Sequence, residues 1–449
     1  MFGQLYQAIK IHYRSVFALF EVALIGIGLY LLYLLPRRIF ADGDQRLFAV
    51  QELIAHGRVS HMSYSIVGPA FSIPFLLLGK VYQSEFWWSG QYNKIVFATG
   101  LLFIYLLLKN HVQHSLLRKF ILILIVASMF ANNVTYFGGE VFTAICVGVG
   151  ILAVVAGPSL GGWCAIVLGV VNTPASVVGL GTMLARYIFQ NKRWRYACVM
   201  VIAVGLILAE AWIRRGSPFN SGYGTQAFST PFLLGLFSIL FSFGKGIFFF
   251  APGLLLPIKK SLLKLREEMK LDLYLIYTLW IGFLVGLVLV YSPWWAWYGG
   301  WFWGPRFFLF ASLPASFALA VRLQRPDTRL LVNLLTIGAL ALSVWVGIDG
   351  TLFDQYPLGN ICIIHQYSQE YLCHYVPQYS VLWRPFLVGV HLNGHDIHYI
   401  LYSVLVAVYL AIPLLRTTAM QTLEKVRQLS ARYVDRQALS IISPEHGND

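Results

Sequence analysis

Long apolar runs recur along the chain, broken by short charged or Pro/Gly-containing segments, and nothing else in the sequence restricts the fold as much. About 20 apolar residues is the length an α-helix needs to cross a bilayer, and in hydrocarbon only helices and closed barrels satisfy their own backbone. The runs predict an all-α polytopic membrane protein of about 12 transmembrane helices, range 10–13. They lie near 17–35, 94–108, 120–137, 141–156, 160–171, 175–190, 196–212, 230–258, 272–291, 305–321, 330–348 and 398–415. Composition agrees: 58% of the residues are hydrophobic and only 12% are charged, against about 25% charged in a soluble domain. Two stretches fit a clean crossing poorly and leave a re-entrant alternative open. One is 157–190, with short halves around Asn172-Thr173-Pro174; the other is 230–258, interrupted by Gly244-Lys245-Gly246.

The formal net charge is +14, and its placement argues for a membrane face rather than for nucleic acid. Segments at Lys10/Arg14, Lys109/Arg118/Lys119, Arg186–Arg195, Lys259–Lys270, Arg322–Arg329 and after Arg416 hold 22 of the 33 Lys and Arg residues. The positive-inside bias makes that face cytoplasmic, with both termini inside. Residues 1–415 then form a single integral membrane domain, and 416–449 a cytoplasmic tail read as a short surface helix followed by disorder. The N-terminal run is long and lacks a small-residue cleavage site, so it reads as the first span. Short loops favour a bacterial inner membrane. Cys146, Cys164 and Cys198 fall inside spans and read as packing residues. Cys362 and Cys373 share one external loop and are expected to bridge if that loop faces an oxidising compartment.

Two external loops, 36–93 and 349–397, are much longer than the others and are where specific chemistry is expected. In the first, Leu47, Val50, Leu53 and Ile54 alternate with polar Arg46, Gln51, Glu52 and His56, which predicts an amphipathic surface helix after Asp44 that stops at Gly57. Asp42 and Asp44 precede it, either as helix-start acids or as groups that bind a metal or accept a proton. Glu140, after Gly138-Gly139, is either a first-turn acid or a functional carboxylate at the external end of a span. The aromatic stretch 291–314 matches an interfacial belt, but its Arg306 requires an anion, a lipid-linked phosphate or a carboxylate. Lys245, flanked by glycines, either snorkels or joins Arg306 in neutralising a phosphate leaving group. His61 and Tyr64 in the first loop, with Trp297, Tyr298 and Trp301, are the candidate sugar or acceptor contacts. Arg214 and Arg215 are weaker candidates for binding lipid phosphate. The histidines of the last loop, His391-x3-His395 included, lack a companion acid on an assured helix.

The segments ADGDQRLFAVQELIAHG with SYSIVGPAFSIP, LFSFGKGIFFFAPGLLL and WYGGWFWGPRFFLFASLP resemble the GT-C class of membrane glycosyltransferases, which includes protein O-mannosyltransferases and lipid A aminoarabinose transferases. The resemblance spans roughly 17–390. It implies a GT-C-like bundle, a polyprenyl-phosphate sugar donor, transfer on the outer membrane face and a catalytic Asp in the first external loop. The position that often reads Asp-Glu in the family is Asp44-Gln45 here. The resemblance therefore makes Asp44 the base of an inverting single displacement, while the missing second acid weakens a divalent-cation site. Asp42 or Glu140 would orient hydroxyls, and Arg306 with Lys245 would receive the phosphate. The acceptor is a glycan, a lipid or a protein hydroxyl. The alternative is a secondary transporter or lipid-linked-saccharide flippase, which calls for ionisable groups near the bilayer midplane and for related halves. Glu21, Glu210 and Asp272 all lie nearer a span end than a centre, and the halves show no convincing repeat.

Overall fold

The computed structural model describes residues 2–157, 159–224, 228–363 and 368–442, with side chains described from residue 16 to residue 433 apart from Pro357. The chain folds as a bundle of helices. Seven among the described residues are long and apolar enough to cross a membrane: Val16–Leu34, Glu85–Leu108, Trp194–Arg215, Leu273–Tyr291, Arg306–Gln324, Leu330–Leu352 and Gly394–Tyr433. The other runs form shorter elements, among them His114–Val126, Glu140–Ala156, Leu160–Asn172 and Val177–Asn191. Their shortness has a packing reason. His114–Val126 buries every residue from Phe120 to Val126, so neighbouring protein, not lipid, surrounds its C-terminal end.

Both interruptions expected from the sequence are present. A turn of 3-10 helix at Pro174–Ser176 separates Leu160–Asn172 from Val177–Asn191. The Phe232–Phe241 helix stops before Gly244-Lys245-Gly246, and a four-residue helix, Ile247–Phe250, follows. The C-terminal helix runs unbroken from Gly394 to Ile442, well past the surface helix and disorder expected after 415, because TLEKVRQLSARYVDRQ consists largely of good helix formers.

The two ends of the bundle differ. One carries the basic loops and their ion pairs, Arg322–Asp327, Arg325–Glu268 and Arg266–Asp272. At the other end the chain leaving the first span pairs with the chain entering Glu140–Ala156. The Arg38 amide donates to the Thr135 carbonyl (2.7 Å) and the Phe137 amide to the Arg38 carbonyl (3.1 Å). Arg38 also pairs with Asp354, just past Leu330–Leu352, at 3.1 Å. These contacts gather the first loop, the Glu140 turn and the last loop over one end of the bundle. Arg306–Gln324, the most deeply buried of the seven long helices, begins there.

Candidate functional site

The first-loop helix spans Asp42–His56, so it begins at Asp42 and not after Asp44. Gly57 ends it in the left-handed conformation, φ 65°, as expected. Neither aspartate caps it; Ala41 is the N-cap, at φ 49° and ψ −117°, a strained backbone for a residue with a side chain. Because Asp42 and Asp44 are i and i+2 on one helix, their side chains diverge by about 200°. Asp42 turns inward. Asp44 is exposed, and among the described residues it has no hydrogen bond or ion pair. The expectation that put Asp44 at the centre of the site is corrected on this ground.

Asp42 is held from two sides. Arg306 Nη2 donates to Oδ2 at 2.6 Å, and the Tyr64 hydroxyl donates to Oδ1 at 2.7 Å. Burial alone would raise the pKa of Asp42, but the Arg306 charge and the two hydrogen bonds outweigh it and hold the carboxyl below the ordinary carboxylate value. Burial and the adjacent carboxylate push the Tyr64 hydroxyl upward, so it stays a donor. Glu140 Oε1 lies 3.6 Å from Arg306 Nη1. The three charged groups border a cleft with Arg38, Tyr136 and Phe302. Phe40, which also faces this cleft, stacks on Phe302 at 5.5 Å, and the Arg306 guanidinium lies 3.7 Å from the Phe302 ring centre.

Arg306 is aimed by the turn before it. Gly299, Gly300 and Gly304 have φ of 80°, 72° and 61°, and a Cβ on Gly299 would lie 3.0 Å from Arg306 Cγ. The turn lets Arg306 Nε donate to the Gly299 carbonyl. Lys245 secures the same turn from below. Its buried ammonium donates to the carbonyls of Gly300 (3.3 Å), Phe302 and Gly304 (3.1 Å) and to Gln355 Oε1 (3.0 Å). Three N–H groups facing four acceptors leave none for a phosphate. The expected phosphate role of Lys245 is thus replaced by a positioning one.

Arg214 behaves alike. It donates to the carbonyls of Ser60 (2.9 Å), Tyr64 (2.6 Å) and Met62 (2.8 Å) and pairs with Glu210 at 2.9 Å, fastening the segment that carries Tyr64. Its lipid-binding reading is corrected for the same reason: every nitrogen already has a protein acceptor.

The other expected sugar contacts separate. Tyr64 reaches the site, whereas His61 is exposed on its loop. Trp297 and Tyr298 face the last external loop, where Trp297 packs on His374 (5.4 Å) and Tyr298 donates to Glu370 Oε2 (2.9 Å). Trp301 is half-buried against the core and does not border the cleft. Cys362 and Cys373 are joined by a disulfide that closes this loop. Burial pushes the His374 imidazole down to about 3 and raises the Glu370 carboxyl. Among the described residues no three His, Cys, Asp or Glu side chains converge as metal ligands, and Asp42 and Asp44 point apart.

Sequence reasoning missed Arg46. Its place among polar positions implies surface, yet the residue is only 7% exposed, with its guanidinium 4.7 Å from the centre of the Tyr64 ring. The signal that finds it is the i, i+4 spacing from Asp42, which puts both on one helix face.

No protein-family model and no curated protein matches the chain. Among solved structures it is similar to ArnT from Cupriavidus metallidurans in the apo state, with a TM-score of 0.48 and 11% identity over 92% of this chain and 72% of that one. It is similarly related to the same protein bound to undecaprenyl phosphate, with a TM-score of 0.48 and 12% identity over 90% and 78% of the two chains.

Proposed function

We propose that this chain is a membrane glycosyltransferase that moves a sugar from a polyprenyl-phosphate donor to a hydroxyl of a glycan, lipid or protein acceptor. The observation that carries the reading is the Asp42–Arg306–Glu140 cluster, its Asp42 bonded by Tyr64, in an aromatic-walled cleft at one end of a helical bundle. An ionised carboxylate that borders the cleft and keeps lone pairs free can accept a proton, and aromatic walls suit sugar C–H faces. The cleft lies at the end opposite the basic loops. By the positive-inside bias that end is external and both termini are cytoplasmic, with about twelve crossings, range 10–13; the short loops favour a bacterial inner membrane. The motif resemblance to GT-C enzymes points the same way.

In the reaction, the acceptor oxygen attacks the anomeric carbon while its proton passes to Asp42, and the bond to the phosphate oxygen breaks on the opposite face of the sugar, inverting the centre. Asp42 takes this role in place of Asp44 because it faces the cleft. Each of its oxygens retains a lone pair beyond the bonds to Arg306 and Tyr64. Arg306 keeps Asp42 ionised and correctly turned. Glu140, bordering the same cleft, orients a hydroxyl of the acceptor or sugar.

Incubation with a labelled polyprenyl-phosphate sugar in bilayers tests the reading. Time-dependent release of polyprenyl phosphate with a glycosylated product supports it. Movement of the intact lipid-linked sugar between leaflets, with no bond cleavage, would replace it with the flippase alternative.

A further inference from the structure

Arg46 is the buried charge of this site that the assignments above leave idle. Its Nε and Nη1 are shielded from solvent and have no hydrogen-bond partner among the described residues. Such a guanidinium carries a large desolvation penalty unless an anion offsets it. Neither neighbouring acid hydrogen-bonds it: Asp42 feels its charge only through space, its oxygens being bonded to Arg306 and Tyr64, and the ion-pair contact of Glu140 is to Arg306. Yet Arg46 belongs to the same cluster. It stacks on the ring whose hydroxyl holds Asp42, and its Nη1 lies 2.9 Å from where a Cβ on Gly139 would stand, next to Glu140.

The other basic groups of the site are already engaged. Each Arg306 nitrogen faces a protein acceptor, Nε the Gly299 carbonyl, Nη2 Asp42 and Nη1 Glu140. Lys245 has no free donor.

We infer that Arg46 is the phosphate-binding residue, its unused N–H groups gripping the phosphate that links the sugar to the polyprenol. This rests on the glycosyltransferase reading and deepens it. As the anomeric C–O bond breaks, its electron pair stays on the phosphate oxygen, and the diester with one negative charge becomes a monoester with two. The acceptor oxygen closes the new bond and its proton goes to Asp42. Charge-assisted bonds to Arg46 strengthen as the phosphate gains charge, so the residue contributes to rate as well as to affinity.

The test uses the full-length protein in nanodiscs, farnesyl phosphate as probe, and farnesol and inorganic phosphate as controls. Arg46→Gln is expected to weaken farnesyl phosphate binding about 10- to 100-fold, the range of a lost charge-assisted bond, to lower kcat, and to leave farnesol binding alone. Arg46→Lys, which keeps the charge and is the variant of record if the glutamine protein does not fold, should recover part of both. Competition by inorganic phosphate alone would mark a free-anion site and overturn the lipid-phosphate assignment. If the unaltered protein transfers sugar and either variant binds farnesyl phosphate as it does, this inference fails and the glycosyltransferase reading stands. If the unaltered protein neither binds the probe nor cleaves the donor, both fall together.

Discussion

The first external loop and the last lie over the same end of the bundle, and each is fastened by different means. Residues 36–93 are held by polar bonds to distant parts of the chain. Arg214 grips the carbonyls of Ser60, Met62 and Tyr64, Asn93 donates to the Tyr136 and Gly138 carbonyls, and Arg38 pairs with Asp354. The last loop is closed by the Cys362–Cys373 disulfide and wedged by aromatic rings. It reaches the site only indirectly: the Gly244 amide donates to the His374 carbonyl (3.0 Å), Ser380 Oγ donates to the Phe243 carbonyl (2.7 Å), and Lys245 between them holds the turn that aims Arg306. On the proposed reading the first loop supplies the base, Asp42, and Tyr64, and the last loop supplies footing for Arg306. Changes in the first should alter turnover while leaving the fold; changes in the last and its Lys245 anchor should do the reverse.

The largest separation is expected at Lys245. Lys245→Met strands three carbonyls and Gln355 in a buried place, at about 1–3 kcal/mol for each unsatisfied group, a sizeable share of the roughly 5–15 kcal/mol that holds a typical domain together. Thermal melting in detergent should show a collapse of stability. A variant that melts normally would mean Lys245 is not an anchor.

Arg306→Gln should cut turnover by about 10²- to 10³-fold with a smaller change in melting. Its sharper readout is the pH profile. With the arginine charge gone, burial is left to raise the pKa of Asp42, so the acid limb of the residual activity should move to higher pH. An unmoved limb would separate Arg306 from Asp42.

Cys362→Ser with Cys373→Ser should lower stability by about 2–4 kcal/mol and leave turnover per folded molecule near that of the parent. Loss of turnover with unchanged melting would reverse the roles given to the two loops. At neutral pH the smallest effect belongs to His374, which shows itself only in acid. Its pKa falls from the ordinary 6.5 to about 3 on burial, so the unfolded chain binds the extra proton between those values. That contribution is complete above about pH 6.5 and fades as pH drops toward 3. His374→Phe should flatten this part of the melting-against-pH curve, and an identical slope would remove His374 as its source.

Much of this arrangement is legible in the residues because it depends on local pattern. The apolar runs, the stop at Gly57, the break at Gly244-Lys245-Gly246 and the proximity of Cys362 to Cys373 all follow from nearby chain chemistry. What escaped needed either helical phase or distant backbone. Starting the first-loop helix after Asp44 leaves its phase undetermined. Starting it at Asp42 turns Asp42 and Arg46 to one face and Asp44 away. The role of Lys245 depends on carbonyls more than fifty residues ahead, which no motif at Gly244-Lys245-Gly246 encodes. The aromatic stretch makes Trp297 and Tyr298 look like sugar platforms, but their partners, His374 and Glu370, come from a loop some seventy residues later.

The central claim is that Asp42, locked to Arg306, takes the proton in sugar transfer. Single-turnover release of polyprenyl phosphate from a labelled donor, compared between Asp42→Asn and Asp44→Asn, addresses it most directly. The account predicts a loss of about 10²- to 10⁴-fold for the first and a change of no more than a few-fold for the second, with both proteins folded. The opposite order, or two variants equally active, would contradict it.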